Sequence, residues 1–459
     1  MASMSNTALF ACSTCDAQFS KWTGRCLECG AWGALKEEVV KSIKSESRGA
    51  LTPTSYRLQP FSDSSISTSE ALLSTQRPPL DLVLGGGLVP GSVTLLAGEP
   101  GIGKSTLLAQ VAIAMSGTGG RVVYVTGEES PSQVRRRLMR LAPALPESLC
   151  FLDETDASTV AATIEIEKPA ITIVDSIQTM RLADANGEAG SVTQVKACAA
   201  TITEAAKRSN APVILAGQVT KDGDVAGPRV LEHLVDTVLF LEGDKDHRYR
   251  ILRALKHRFG STDEIALLSM TERGLETVED PSSELLRDRA LNASGSAVTC
   301  LIEGRRPMLL ELQALVSPAG YGTPIRRATG VDHGRLGMLL AVLAKRAGVF
   351  ALDKDVYANA AGGIDARDPS CDLALLAAIA SAVKDVLLDP KTGFFGEVGL
   401  AGELRPVSLP ELRLKEFARM GFEKVIVPKS GAPRSTLHAS RFAIQEVGTL
   451  REALELFMP

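Results

Sequence analysis

The sequence lacks an apolar run long enough to span a bilayer, since the richest one, residues 373–383, stops well short of the roughly 20 residues required. Met1–Phe10 also lacks the charged start and long apolar core of a signal peptide. Aromatic residues make up only 4% of the chain, and the net charge is -4. We therefore expect a cytoplasmic globular protein that is not basic overall. Any DNA contact would come from a local patch or from a channel in an oligomer.

The chain is too long for one hydrophobic core. Its 459 residues, 45% of them hydrophobic, predict two or three domains. Residues 36–76 are charged and then rich in Ser and Thr, which indicates a linker. We expect a small module at 1–35, a nucleotide-binding domain at 77–280 and a separate α+β domain at 281–459.

Four of the 8 cysteines form two C-x-x-C pairs separated by ten residues, namely Cys12, Cys15, Cys26 and Cys29. Two such knuckles can bring four thiolates onto one tetrahedral Zn²⁺, as zinc ribbons do. Disulfides or free thiols are the alternative. A cytoplasmic chain disfavours disulfides, and the regular spacing disfavours free thiols.

A phosphate-binding loop follows a short apolar strand and precedes a helix. Its residues are Gly98, Glu99, Pro100, Gly101, Ile102, Gly103, Lys104 and Ser105, and Thr106 completes the predicted ATP-binding set. In the pattern G-x-x-x-x-G-K-[ST], backbone N–H groups surround the phosphates, the lysine reaches the β and γ phosphates, and the serine holds Mg²⁺. Strands and helices then alternate, which predicts an α/β fold around a mostly parallel sheet.

Polar residues at the ends of later strands complete the predicted ATPase site. Asp175 ends the apolar strand 171–174 and would support Mg²⁺. Glu128 or Glu129 would activate the attacking water, and Glu128 is favoured because its neighbour could cap the helix opening at Ser130. Gln218 would sense the γ phosphate, although a solvated polar residue at a strand end is the alternative.

Three motif sets in this order resemble the RadA family, also called Sms, of bacterial DNA repair and recombination ATPases. They are residues 21–26 (Lys-Trp-Thr-Gly-Arg-Cys), the loop 98–105, and residues 227–233 (Gly-Pro-Arg-Val-Leu-Glu-His). The resemblance covers nearly the full length. It implies a zinc ribbon, a RecA-like motor and a C-terminal Lon-protease-like domain.

The resemblance also implies an activity and partners. It predicts a DNA-dependent ATPase that moves along single-stranded DNA and promotes branch migration, acts on branched DNA with the recombinase RecA, and forms a homo-oligomeric, hexameric ring. Lys221 and Arg229, on a loop after the Gln218 strand, would contact DNA phosphates in the ring channel. A nucleotide-switched scaffold and an ATP-dependent protease are the alternatives.

This sequence departs from the family at two motor positions. The signature Lys-Asn-Arg-Phe-Gly occurs as Lys256-His257-Arg258-Phe259-Gly260, with His in place of Asn. Lys256 and Arg258 would reach a neighbour's nucleotide and stabilise transition-state charge, whereas a basic edge strand is the structural alternative. Gln218 stands where the family more often carries His, a change towards RecA itself.

The Lon-like resemblance does not extend to the catalytic pair. Ser370 falls in register with the nucleophile, but Arg413 occupies the position of the lysine base. Because arginine stays protonated in proteins, it cannot serve as the base, and we expect no peptidase activity. Ser370 is instead interpreted as a cap of the helix that follows.

Overall fold

A computed structural model describes residues 9–12, 18–19, 21–26, 31–33, 35–38, 71–218, 228–243, 249–320, 322–429 and 443–457. Within these ranges no helix has the length and apolarity needed to cross a membrane. The N-terminal module is a three-stranded antiparallel sheet in the order β2-β1-β3. Its strands are β1 (Leu9–Cys12), β2 (Gln18–Phe19) and β3 (Leu35–Glu38).

The second unit alternates strands and helices. Its elements are α1 (Pro78–Val83), β4 (Val93–Gly98), α2 (Lys104–Ser116), β5 (Val122–Thr126), α3 (Pro131–Leu141), β6 (Leu149–Asp153), α4 (Ala157–Glu167), β7 (Ile171–Val174), α5 (Val192–Ser209), β8 (Val213–Gln218), α6 (Pro228–Leu231), β9 (Thr237–Glu242), β10 (Tyr249–His257), β11 (Ile265–Thr271) and β12 (Gly274–Thr277).

In the described chain these strands form one nine-stranded sheet, ordered β12-β11-β10-β9-β4-β8-β7-β5-β6. The strands from β9 to β6 are parallel, whereas β10, β11 and β12 add an antiparallel edge. Because apolar side chains lie on both faces of the sheet, helices pack against each face. On β4, Leu96 enters one core and Leu95 and Ala97 the other. The predicted α/β fold is confirmed.

The last residues assigned to the linker pack on this unit. Leu73 forms a backbone bridge with Leu88, and its amide donates to the Leu88 carbonyl at 2.8 Å. The carboxylate of Asp81 accepts from the amide (2.8 Å) and the hydroxyl (2.7 Å) of Thr75. Residues 71–76 therefore belong structurally to the sheet domain, just before the predicted start at 77.

The third unit comprises α7 (Pro281–Leu286), β13 (Ser296–Glu303), β14 (Arg306–Pro318), β15 (Arg326–Thr329), α8 (His333–Ala347), β16 (Lys354–Ala360), α9 (Asp372–Lys384), β17 (Thr392–Phe394), β18 (Glu397–Val398), β19 (Leu404–Arg405), α10 (Pro410–Arg419), β20 (Lys424–Pro428), β21 (Ala443–Val447) and α11 (Leu450–Glu455). Among the described residues its main sheet runs β15-β16-β14-β13-β17-β20-β21.

Helix α9 lies at the centre of the third unit. Its first ten residues are all buried, and its apolar residues share one core with α8 and the main sheet. Mixed pairing, antiparallel for β13–β14 and parallel for β17–β20, makes this an α+β domain, as predicted. Arg253 of β10 joins it to the nine-stranded sheet through Glu303 of β13, at 2.9 Å.

Candidate nucleotide-binding site

Glycines give the loop 98–105 its shape between β4 and α2. Gly101 (φ +79°) and Gly103 (φ +117°) adopt backbone conformations that side chains disfavour. A Cβ at Gly98 would lie 2.5 Å from the carbonyl oxygen of Leu241, so this position has no room for one. The loop thus fits a phosphate cradle at the N-terminus of α2.

Lys104 is the first residue of α2 and is only 7% exposed. Its Nζ donates to the carbonyl oxygens of Gly98 (2.8 Å) and Glu99 (2.9 Å). The ammonium is therefore held against the loop that its charge is expected to serve. Ser105 and Thr106 follow in the first turn of α2 and are half-buried.

Asp175 lies at the carboxyl end of β7, one residue beyond the strand, and is buried. Its Oδ2 accepts a 2.8 Å hydrogen bond from the hydroxyl of Tyr124 on the neighbouring strand β5. Burial, and next the Asp175 carboxylate, hold the pKa of Tyr124 well above its ordinary value. The phenol stays protonated and can donate continuously. Together with the hydroxyl of Ser105, Asp175 supplies the hard oxygen donors that suit Mg²⁺.

Two glutamates follow β5, and their surroundings differ. Glu129 forms an ion pair with Arg137 of α3, whose Nη1 also lies 3.9 Å from Asp175 Oδ2. Glu128 has no ion pair among the described residues. Partial burial first, then the charges of Asp175 and Glu129, raise its pKa above the ordinary value, against the effect of Lys104.

Helix α3, for which Glu129 was a candidate cap, is capped by Ser130 and Gln133 instead. The amide of Ser130 donates to the side-chain oxygen of Gln133 at 2.8 Å, while Glu129 turns to Arg137. Because Glu129 is paired with Arg137, it is not the candidate for activating water. Glu128 is the remaining carboxylate beside the phosphate loop.

Gln218 is the last residue of β8 and is exposed. In the parallel register of β4 and β8 it pairs with Gly98, where the phosphate loop begins. Its carbonyl oxygen also accepts a 3.5 Å contact from Gln178, near Asp175. The phosphate loop, Asp175, Glu128 and Gln218 therefore meet at the carboxyl ends of parallel strands, where ligands of open α/β sheets bind.

Lys256 and Arg258 lie at the opposite end of the sheet. The Nζ of Lys256 donates to the carbonyl of Val235 at 2.9 Å, and Arg258 pairs with Asp236 at 3.2 Å. The other carboxylate oxygen of Asp236 accepts from the amide of Val93, the first residue of β4. Because the phosphate loop follows the last residue of β4, about 16 Å of strand separates this pair from it.

The two predicted DNA contacts are not placed by the structure. Lys221 lies outside the described residues. Arg229 falls in α6, where the backbone is described and the side chain is not. Their predicted role stays a prediction.

The predicted zinc site is described in part. Cys12 and Cys26, one from each knuckle, are buried in a shared cluster against Phe10 and Phe19, so the two knuckles meet. Cys15 and Cys29 lie outside the described residues. In the ranges that are described, no group of three or more potential ligands forms. The two buried thiols fit half of a tetrahedral sulfur set.

In the third unit, Ser370 and Arg413, which occupy the positions of the protease serine and lysine, form a buried pair. Arg413 of α10 is 0% exposed, and its Nη1 donates to the hydroxyl of Ser370 at 2.9 Å. It also donates to the carbonyls of Cys300 and Ser408. The interpretation of Ser370 as a helix cap is wrong. Asp368 caps this turn by accepting from the Ser370 amide, and the Ser370 hydroxyl is occupied by Arg413.

Sequence reasoning missed three residues of the nucleotide site. Tyr124 and Arg137 both face Asp175, and the buried Arg250 of β10 reaches the carbonyl of Ile102 in the phosphate loop at 3.3 Å. Arg137 is one of four arginines in α3, a pattern typical of a solvated helix face. In the sequence, only the spacing of about two helical turns between Glu129 and Arg137 could have identified Arg137 as a residue of the site.

Comparison with known proteins agrees with this geometry. A family model described as an AAA domain matches residues 54–224, and one described as a rubredoxin metal binding domain matches residues 10–37. "DNA repair protein RadA" of Bacillus subtilis is 45% identical over 421 residues, which cover 91% of this chain and 92% of that protein.

Two further relatives carry the same name. The protein of Listeria monocytogenes is 41% identical over 461 residues and covers 100% of both chains. The protein of Aquifex aeolicus is 43% identical over 455 residues, 98% of this chain and 99% of its own. The similarity therefore extends over all three units.

Proposed function

The chain belongs to the RadA family of DNA repair proteins, and we propose that it is a motor that hydrolyses ATP in response to single-stranded DNA. The family models support an ATPase domain and a zinc ribbon, and the proposal includes a RecA-like fold for the ATPase core and a Lon-protease-like fold for the third unit. In the proposed reaction it moves along one strand and promotes branch migration of recombination intermediates. Its cofactors would be ATP with Mg²⁺ at the nucleotide site and Zn²⁺ at the four cysteines.

The placement of Lys256 and Arg258 carries this proposal. Glu128, Asp175 and Lys104 converge at one end of the sheet, whereas Lys256 and Arg258 lie at the other end, too far from their own phosphate loop to touch its nucleotide. A second subunit can bring its own phosphate loop to them. The arrangement supports a ring in which each nucleotide sits between two subunits, as in motors that use an arginine finger.

The same ring supports the proposed DNA contacts. Lys221 and Arg229 follow β8, whose end adjoins the phosphate loop through Gln218 and Gly98. Loops that begin beside the nucleotide can change position when it is hydrolysed. Several copies of two cations around a channel would neutralise phosphates without reading bases. DNA binding would therefore be compatible with a net charge of -4.

The protease alternative is disfavoured by Arg413. Its guanidinium donates to the Ser370 hydroxyl and stays protonated, so it cannot remove the proton that a serine nucleophile must lose. Lys415, two residues on, is exposed and points away from the buried pair. The third unit would serve assembly instead of peptide cleavage.

Steady-state ATP hydrolysis with and without single-stranded DNA, at low and moderate salt, tests the proposed function. We expect stimulation by DNA that weakens as salt rises, because phosphate contacts release counterions. A flat response to DNA would support the nucleotide-switched scaffold instead.

Mixing two inactive variants tests the shared site. Lys104→Ala should abolish ATP turnover by removing the phosphate-loop charge. Lys256→Ala should bind ATP normally but lose turnover by roughly 10³-fold, the scale of a trans-acting cation. A mixture of the two should regain activity, because some interfaces then combine an intact loop with an intact Lys256.

Arg258→Ala should behave like Lys256→Ala, and Arg273→Ala is its matched control. Arg273 is an exposed cation of the same antiparallel edge that pairs only with Glu276 among the described residues. Its loss should leave turnover unchanged. Wild-type turnover in Lys256→Ala, or no regain in the mixture, would show that the sites are not shared.

A further inference from the structure

Both tryptophans of the chain lie in the N-terminal module, and both are exposed. Trp22 is 61% exposed and Trp32 is 78% exposed. Tryptophan is normally among the more buried residue types. The described core of this module consists of Cys12 and Cys26 with Phe10 and Phe19 against it, so the indoles are not part of that core. An outward position of both rings points to a binding role.

The backbone brings the two indoles to one surface. Arg25 and Trp32 form an antiparallel bridge, and the amide of Gly33 donates to the carbonyl of Gly24 at 3.0 Å. A Cβ added at Gly24 would lie 3.9 Å from Trp22 Cη2 and 3.9 Å from Trp32 Cζ3. The two ring edges therefore both lie next to Gly24, no further apart than twice that distance.

Cations border this surface. Lys21 and Arg25, on either side of the Trp22–Gly24 segment, have exposed side chains. Flat aromatic rings combined with positive charge are the pattern on which single-stranded nucleic acids bind, because every base has a face that stacks and every nucleotide has a phosphate. In duplex DNA the bases are already stacked on each other, so this surface suits an open strand.

We propose that the tryptophan face, formed by Trp22, Gly24 and Trp32 with Lys21 and Arg25, binds single-stranded DNA by stacking its bases on the two indoles. The proposal rests on the proposed function, since it supplies a second strand contact outside the ring channel. Gly24 leaves the surface next to both ring edges free of a side chain. The zinc ribbon then acts as a clamp on the strand that the motor moves along.

Intrinsic fluorescence of the full-length, zinc-loaded protein tests the proposal. Trp22 and Trp32 are the only indoles in the chain, so tryptophan emission reports on this face alone. Titration with a thymine homopolymer should quench the emission saturably, and duplex DNA of equal length should quench it less. Removing one indole should weaken binding of the homopolymer by about 5- to 100-fold, the usual effect of losing one stacking contact.

The variants separate stacking from folding. Trp32→Ala should lose affinity, and Trp32→Phe, which keeps a flat ring, should regain part of it, both with wild-type zinc content. Phe350→Ala is the matched control, because Phe350 is a similarly exposed aromatic (66%) in the third unit. That change should leave affinity for the homopolymer unaltered.

The outcomes distinguish this proposal from the proposed function. Unchanged emission with DNA, while DNA still stimulates ATP hydrolysis, would overturn the tryptophan face and leave the motor intact. Loss of both responses would overturn both. Emission that changes with protein concentration, but not with DNA, would show that a second copy of the chain covers the face and would also overturn the proposal.

Discussion

Tyr124→Phe removes a single oxygen atom from the nucleotide site. Tyr124 is 1% exposed on β5, and the phenylalanine ring would fill the same space, so no cavity forms. The change deletes the 2.8 Å hydrogen bond to Asp175 Oδ2. A hydrogen bond to a charged group contributes about 1.5–3 kcal/mol, and we expect the free energy of unfolding to fall by about 2 kcal/mol.

The same change should alter the response to Mg²⁺. Without the phenol, Asp175 keeps only Arg137, at 3.9 Å, as a side-chain partner among the described residues. Losing a group that orients a metal ligand typically costs 10- to 100-fold in metal affinity or activity. We therefore expect the Mg²⁺ concentration for half-maximal ATP turnover to rise about 10-fold, measured at saturating ATP alongside denaturant unfolding.

Tyr249→Phe is the matched control. Its hydroxyl donates to Glu284 at 2.9 Å where the second and third units meet, away from Asp175. This variant should lose stability without any change in the Mg²⁺ response. Equal Mg²⁺ curves for Tyr124→Phe and wild type would refute the orienting role of Tyr124, and unchanged stability would show that the bond contributes nothing.

Four further predictions concern other residues. Glu128→Gln should retain ATP binding but lower turnover by about 10²- to 10⁴-fold. Because the pKa of Glu128 is raised, wild-type turnover should begin to fall at a higher pH than it would with an ordinary glutamate as base. Turnover that does not fall on the acid side would contradict the role of Glu128 as base. Cys26→Ser should lose zinc on metal analysis, whereas unchanged metal content would overturn the ribbon assignment. Arg413→Ala should lower the free energy of unfolding by about 3 kcal/mol, because buried acceptors at Ser370, Cys300 and Ser408 lose their donor. Neither wild type nor Ser370→Ala should cleave unfolded protein, and cleavage that depends on Ser370 would refute the inactive dyad.

Much of the fold could be predicted because burial leaves a regular trace in sequence. Continuous apolar runs such as Ile171–Val174 become central parallel strands, and the glycine loop marks where a strand turns into a helix. In the third unit, β13, β14, α8 and α9 likewise coincide with apolar stretches of the sequence. These features depend on the spacing of residues that are close together in the chain, and a single sequence is enough to show that spacing.

Contacts between distant segments could not be predicted in the same way. Arg137 shares α3 with three other arginines, and only the packing of α3 beside β7 brings it to Asp175. Tyr124 reads as one more apolar strand residue until β5 is placed next to β7. Ser370 looked like a cap because serine favours caps, but the arrival of Arg413 from α10 decides its hydrogen bond.

Strand β10 gives the proposed ring a mechanical property. Near its start Arg250 contacts the phosphate loop of its own subunit, and near its end Lys256, hydrogen-bonded to the Val235 carbonyl, is the cation proposed to act on a neighbouring subunit. The two residues are six positions apart, about 20 Å along one strand that pairs with β9 from Ile251 to His257, with a bulge between Ala254 and Lys256, and with β11 as far as Arg253. In the proposed ring, β10 would link a displacement of one phosphate loop to the cation at the next nucleotide. In such a ring the subunits would hydrolyse ATP one after another. A subunit that stopped hydrolysing ATP would slow its neighbour.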